Sequence, residues 1–147
     1  MSTSVKRAIW ITAGVLIIIQ FIPFDRSNPP VTAEIRVQED VSAILKRSCY
    51  DCHSNTTDWP WYAHVAPVSF FIVDDVHEGR EHLNFSSWQN YSAEKKKKLA
   101  GEMLDEIREG DMPLFTYTII HQGTKLSDSE IKTIQAWALR EFGVTGE

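Results

Sequence analysis

Both cysteines of the chain fall within one short stretch, "CYDCH", at positions 49–53. Cys49 and Cys52 form a C-x-x-C pair, and His53 follows directly. Three chemistries use that spacing. A zinc site needs four ligands in a tetrahedron, so two histidines would have to join the cysteines. His77 and His82 have a permitted spacing, but Gly79 lies between them and the gap from Cys52 exceeds that of a zinc finger. A thioredoxin-like redox pair belongs beside a βαβ pattern, whereas the residues before Cys49 read as helix. The third chemistry is covalent attachment of a c-type haem. Each sulfur adds to one vinyl group, and the adjacent imidazole becomes an axial ligand of the iron. This reading assigns Cys49 and Cys52 as attachment residues and His53 as the proximal iron ligand.

The elements around the motif favour the haem reading. "VKRAIWITAGVLIIIQFIPF" carries Lys6 and Arg7, then an uncharged, mostly apolar run from Ala8 to Phe24. As a helix that run is roughly 26 Å long, close to the ~30 Å hydrocarbon core of a bilayer. No A-x-A cleavage site follows it, and Phe21 and Phe24 are bulky, so residues 1–24 read as a retained anchor rather than a cleaved signal. Lys6 and Arg7 place the N-terminus in the cytoplasm. The rest is then exported, to the side of the bacterial inner membrane where c-type haem is attached. Residues 25–36, with Pro29 and Pro30, read as an extended linker spacing a domain of residues 37–147 from the membrane.

That domain reads as all-helical. Val41, Ile44, Leu45, Ser48, Cys49 and Cys52 share one face of a helix starting near Val37. "SNTTDWPWYAHVAPVSF" is broken by Pro60 and Pro67. Its Trp59, Trp61 and Tyr62 suggest an irregular aromatic wrap against the cofactor, with ordinary core packing as the alternative. A helix from Val68 is expected to stop at Gly79. "HLNFSSWQNYS" reads as a loop with aromatic anchors. Ser92 caps a helix over 93–109, with Leu99, Met103, Leu104 and Ile107 inward. The Lys95–Lys98 run reads as a solvated face, or else as a docking patch for an acidic partner. Ser127-x-x-Glu130 is a capping box opening a last helix that ends at Gly143. There is no strand pattern, repeat or low-complexity tract.

The second axial position has several candidates. Met1 is assigned to the cytoplasm, and Met103 sits on a helix face, where a core role is simpler. Met112 lies in "GDMPL", just past a helix end, and Pro113 restricts its backbone. About 59 residues separate it from His53, enough chain to reach the far face of a haem. A methionine opposite histidine raises the reduction potential and suits electron transfer. His121 is the next candidate and His82 the third. His64 and His77 read as ordinary surface or hydrogen-bonded residues.

With its helix ending in "CYDCH", its "MP" loop and a final helix carrying "IQAWAL", the chain resembles the class I cytochrome c plan. More specifically, "CYDCHSNTTDWPWYAHVAPVSF", "GREHLNFSSW", "GDMPL" and "LSDSE" resemble the bacterial haem-binding domain family of membrane-tethered monohaem proteins. The resemblance implies one covalent haem c at Cys49 and Cys52, ligated by His53 and Met112. It also places Trp59, Trp61, His82 and Asn84 in the family's shared framework. Phe70 stands where tryptophan is expected.

A net charge of −5 on 147 residues, 43% of them hydrophobic, does not point to nucleic acid or to disorder. The expected function is one-electron transfer on the periplasmic face of the inner membrane, without catalysis, between periplasmic or inner-membrane redox proteins. The competing expectation is a peroxidase-like or gas-binding site with a displaceable sixth ligand, with His121, His82 or Arg80 as a polar distal group. A sensor fits less well, because only about seven residues precede the anchor.

Overall fold

A computed structural model describes residues 2–146. Helix α1 (Thr3–Ile18) continues through a 3-10 turn to Phe21 and is long and apolar enough to cross a membrane. It starts before the apolar run expected from the sequence and includes Lys6 and Arg7. The remaining helices are α2 (Glu39–Ser48), α3 (Tyr50–His53), α4 (Val68–His82), α5 (Ala93–Glu109), α6 (Phe115–Ile120) and α7 (Asp128–Phe142). Two 3-10 turns, Trp61–His64 and Phe85–Asn90, flank α4. There is no strand among the described residues. The all-helical class read from the sequence is the one observed.

The core forms where α7 packs against both α2 and α5. Val41 and Leu45 of α2 meet Leu104 of α5 and Ile134, Trp137 and Ala138 of α7 in one buried cluster. Phe85 and Trp88 from the 3-10 turn complete it. The Trp88 ring lies 6.4 Å from Trp137 and 6.0 Å from Phe142, so these aromatics build the core itself. Burying each such ring contributes on the order of 2–3 kcal/mol.

The helix ends follow their capping residues. Ser92 accepts a hydrogen bond from the Lys95 amide, and α5 ends at Gly110, whose φ of 85° only glycine adopts without strain. Ser127 and Glu130 form the expected capping box, and Gly143 closes α7 with φ 66°. Glu130 also takes an ion pair of 2.7 Å from Arg47 in the last turn of α2. The two helices are thereby joined at their ends.

Four expectations are corrected. The first helix does not run through the motif: Cys49, with φ −130°, ends α2 and α3 starts at Tyr50, although Cys49 still packs against the core that α2 lines. Gly79 does not stop α4, which runs on to His82. Residues 85–90 are a hydrogen-bonded turn set by Asn84, whose side chain accepts from the Ser86 amide. Residues 25–36 are extended but do not hold the domain at a distance. Arg26 Nε donates to the Ala63 carbonyl at 2.7 Å, Asn28 Nδ2 to Thr57, and the Ala33 and Ile35 amides to Ser86 and Phe85. The prolines keep this strip extended, and its polar atoms pair with the domain surface.

Candidate functional site

Helix α3 sits against α4, and glycine makes the approach possible. A Cβ on Gly79 would stand 2.8 Å from the Cys52 carbonyl oxygen, closer than real side chains come. The contact sets the CYDCH turn directly on the last turns of α4. His53 Nδ1 then lies 2.9 Å from the Gly79 carbonyl oxygen and 3.1 Å from that of Leu83. Carbonyls only accept, so Nδ1 carries the hydrogen, and Nε2 is left with its lone pair. Burial pushes the imidazole below its ordinary pKa, although the two carbonyls oppose this. The result is a neutral, oriented imidazole, the arrangement that metal-ligating histidines use.

Cys49, Cys52 and His53 line one large cleft of about 1000 Å³. Ligand pockets span ~300–1,000 Å³, so this cleft is at the large end, as a macrocycle requires. Leu83, Phe85, Leu99 and Ile107 supply apolar wall, and both Met103 and Met112 reach it. Burial pushes both thiols up to about 12, and the neighbouring Cys52 adds to the effect on Cys49. Among the described residues no three His, Cys, Asp or Glu side chains come together as a metal site. Ser48 Oγ, buried in the same wall, has no hydrogen-bond partner among the described residues.

Met112 is placed by the turn that ends α5. The amides of Gly110, Asp111 and Met112 all donate to the Glu106 carbonyl, at 3.0–3.2 Å. Three donors on one acceptor curl the chain back over the helix end, and Met112 enters the cleft half-buried. Pro113 beside it also lines the cleft. From α6, Tyr117 donates a 2.7 Å hydrogen bond to Asp51 Oδ2 on α3, and both residues line the wall. Burial, then this bond, raises the Tyr117 pKa well above its ordinary value.

Not every expected site residue is in the cleft. Trp59 and Trp61 do not line it. Trp59 lies under the Arg80 guanidinium, 6.0 Å from its centre, and Trp61 is 77% exposed. His121 is also outside: its ring stacks on Tyr117 at 4.3 Å, and its Nε2 is hydrogen-bonded to Tyr62. His82 lies at the rim, exposed. Arg80 is fully engaged with Ser54, Ser27, Asn28 and Thr57. Sequence reasoning missed Tyr117, Asp51 and the cleft position of Met103. Met103 shares the inward face of α5 with Leu99, so its register was visible, but the cleft beside that face was not.

An all-helical domain with a deep apolar cleft, an oriented neutral imidazole and two thiols on one wall fits a haem. The chain matches the model of the haem-binding domain family over residues 14–140 and belongs to that family. It binds haem. Neither a curated protein nor a solved structure matches the chain. A haem held in this cleft would supply a one-electron iron couple, and the lining residues would hold it and keep water away.

Proposed function

We propose that this is a membrane-anchored c-type monohaem protein that transfers single electrons and performs no catalysis. Cys49 and Cys52 attach the haem, His53 is the proximal ligand, and Met112 is the distal one. Helix α1 is an uncleaved anchor in the bacterial inner membrane, Lys6 and Arg7 stay cytoplasmic, and the haem domain is periplasmic. The observation that carries this reading is the His53 ring. Its Nδ1 is held by Gly79 and Leu83, and it shares the cleft wall with both cysteines. The expected polar distal groups do not assemble: Arg80 and His121 have other partners, and His82 is at the rim. An apolar cleft with a thioether ligand suits reversible electron transfer to periplasmic or inner-membrane redox proteins better than peroxide or gas chemistry. Acidified acetone should leave the haem on the polypeptide. Complete extraction would overturn covalent attachment.

A further inference from the structure

The chain does not leave α1 through a free tether. Gln20, in the turn that ends α1, donates from Nε2 to the Ala66 carbonyl and accepts the Ala66 amide on Oε1, both at 3.0 Å. Phe24 packs at a tilt on Phe70, ring centres 5.0 Å apart, and Arg26 is hydrogen-bonded to Ala63. The following residues run beside α4 in the same direction: the Asp25 carbonyl meets His77, and that of Ser27 meets Arg80. Around the point of contact the domain presents apolar side chains to the outside. Trp61 is 77% and Phe71 70% exposed, with Val65 and Val68 exposed between them. All four lie on the Trp61–His64 turn, the start of α4 or the link between them, and that turn packs on α4; exposed apolar side chains gathered on neighbouring elements mark an interaction site. Tryptophan and arginine beside the end of a membrane helix are the residue types that settle in the headgroup layer.

We propose that the face bearing Trp61, Val65, Val68 and Phe71 sits in the headgroup layer of the bilayer that holds α1. The inference rests on α1 being an anchor. Continuity with that helix selects the occupant: a surface tied by Gln20 to the last turn of a membrane span meets that same membrane first. Helix α4 then stands as a strut. Its first residues touch the lipid, and its last turn and the residue just after it carry the Gly79 and Leu83 carbonyls that orient His53. From Val68 to Gly79 is roughly 16 Å of helix at 1.5 Å per residue. The haem cleft is therefore held at a set height and tilt above the bilayer, open to a partner that diffuses along the same surface.

The test uses the full-length haem protein, labelled with 5-fluorotryptophan, in lipid nanodiscs. Trp10→Phe and Trp61→Phe assign the two informative fluorine resonances, and buried Trp137 serves as reference. A lipid nitroxide near the headgroup should broaden Trp61 severalfold more than Trp137. A water-soluble gadolinium chelate should broaden it much less than it does in the Val68→Asp, Phe71→Asp double variant. A mid-chain nitroxide should broaden Trp10. If Trp10 is broadened by lipid label but Trp61 responds only to the water-borne agent, the seated face is wrong and the anchor stands. If Trp10 ignores both lipid labels, the anchor and the proposal fall together.

Discussion

Gly79 touches the backbone of Cys52 and, through its carbonyl, also fixes the His53 ring 2.9 Å away. One residue thus sets the position of the CYDCH turn and the orientation of the imidazole. Gly79→Ala should add helix propensity worth up to about 1 kcal/mol. Overpacking against a rigid backbone costs about 1–3 kcal/mol, and it should win because a Cβ would stand 2.8 Å from a carbonyl oxygen that cannot swing away. The expected result is a net loss of thermal stability together with an altered haem spectrum, read by melting and absorption on the same sample. A more stable variant with an unchanged spectrum would refute the close-contact argument.

That glycine shows why part of the site was illegible in the sequence. A glycine within a helical pattern signals either an end or a close approach of another backbone. The choice depends on α3, a neighbour distant in sequence. The caps were legible because Ser92 with Lys95, and Ser127 with Glu130, act within one turn. His53 and the cysteines could be picked out as candidates because C-x-x-C-H is a spacing that one chemistry requires. Trp59 and Trp61 do not line the cleft, because an aromatic run states what it can bury and not which side of the fold will receive it. The strip from Asp25 to Arg36 was misread because proline dictates extension, while its docking depends on partners such as Ala63, Ser86 and Arg80.

Met112→Ala should remove the thioether from the iron. The weak near-red absorption band of methionine–iron ligation should vanish, ferrous protein should bind carbon monoxide readily, and the potential should fall. Met103→Ala is the matched control, because Met103 lines the same cleft from α5. It is only half-buried, so its cost should lie below the ~2–5 kcal/mol of a fully buried site, with ligation intact. Wild-type protein that takes up carbon monoxide quickly would favour the gas-binding alternative. A low-spin spectrum changed by His121→Ala and not by Met112→Ala would move the ligand to His121.

Glu130 should contribute acid-sensitive stability. The Arg47 side chain first, then Ser127, lower its pKa from 4.5 to about 2. A depressed carboxylate stabilises the fold above its unfolded pKa, and the contribution is lost as pH falls from 4.5 through about 2. Glu130→Gln keeps a capping side chain but removes this titration. Its melting temperature should depend less on pH across that window than that of the wild type. The ion pair is partly solvated, so Arg47→Ala should cost no more than ~1 kcal/mol at neutral pH, and less in high salt. Equal pH slopes for wild type and Glu130→Gln would show that the pair carries no linkage.

Arg80 should be the residue that holds the strip after the anchor onto the domain. Its Nε donates to the Ser54 carbonyl at 2.8 Å, beside the CYDCH turn. Its Nη1 donates to the Ser27 carbonyl at 3.0 Å, and Nη2 to Asn28 Oδ1 and Thr57 Oγ1 at 2.7 and 2.8 Å. A planar fork makes these bonds in fixed directions, which a lysine ammonium cannot reproduce. Arg80→Ala leaves carbonyls from two segments without their donor, at ~1–3 kcal/mol for each that stays buried. The strip at 25–30 is the more exposed partner, so it should detach first. Limited proteolysis should then cut the Arg80→Ala protein there many times faster than wild type, while haem stays bound to the fragment beyond the cut. Arg80→Lys should restore little of this protection. Rescue by lysine would mean that charge alone holds the strip. Unchanged cleavage in Arg80→Ala would mean that Arg26 and Asn28 hold it without Arg80.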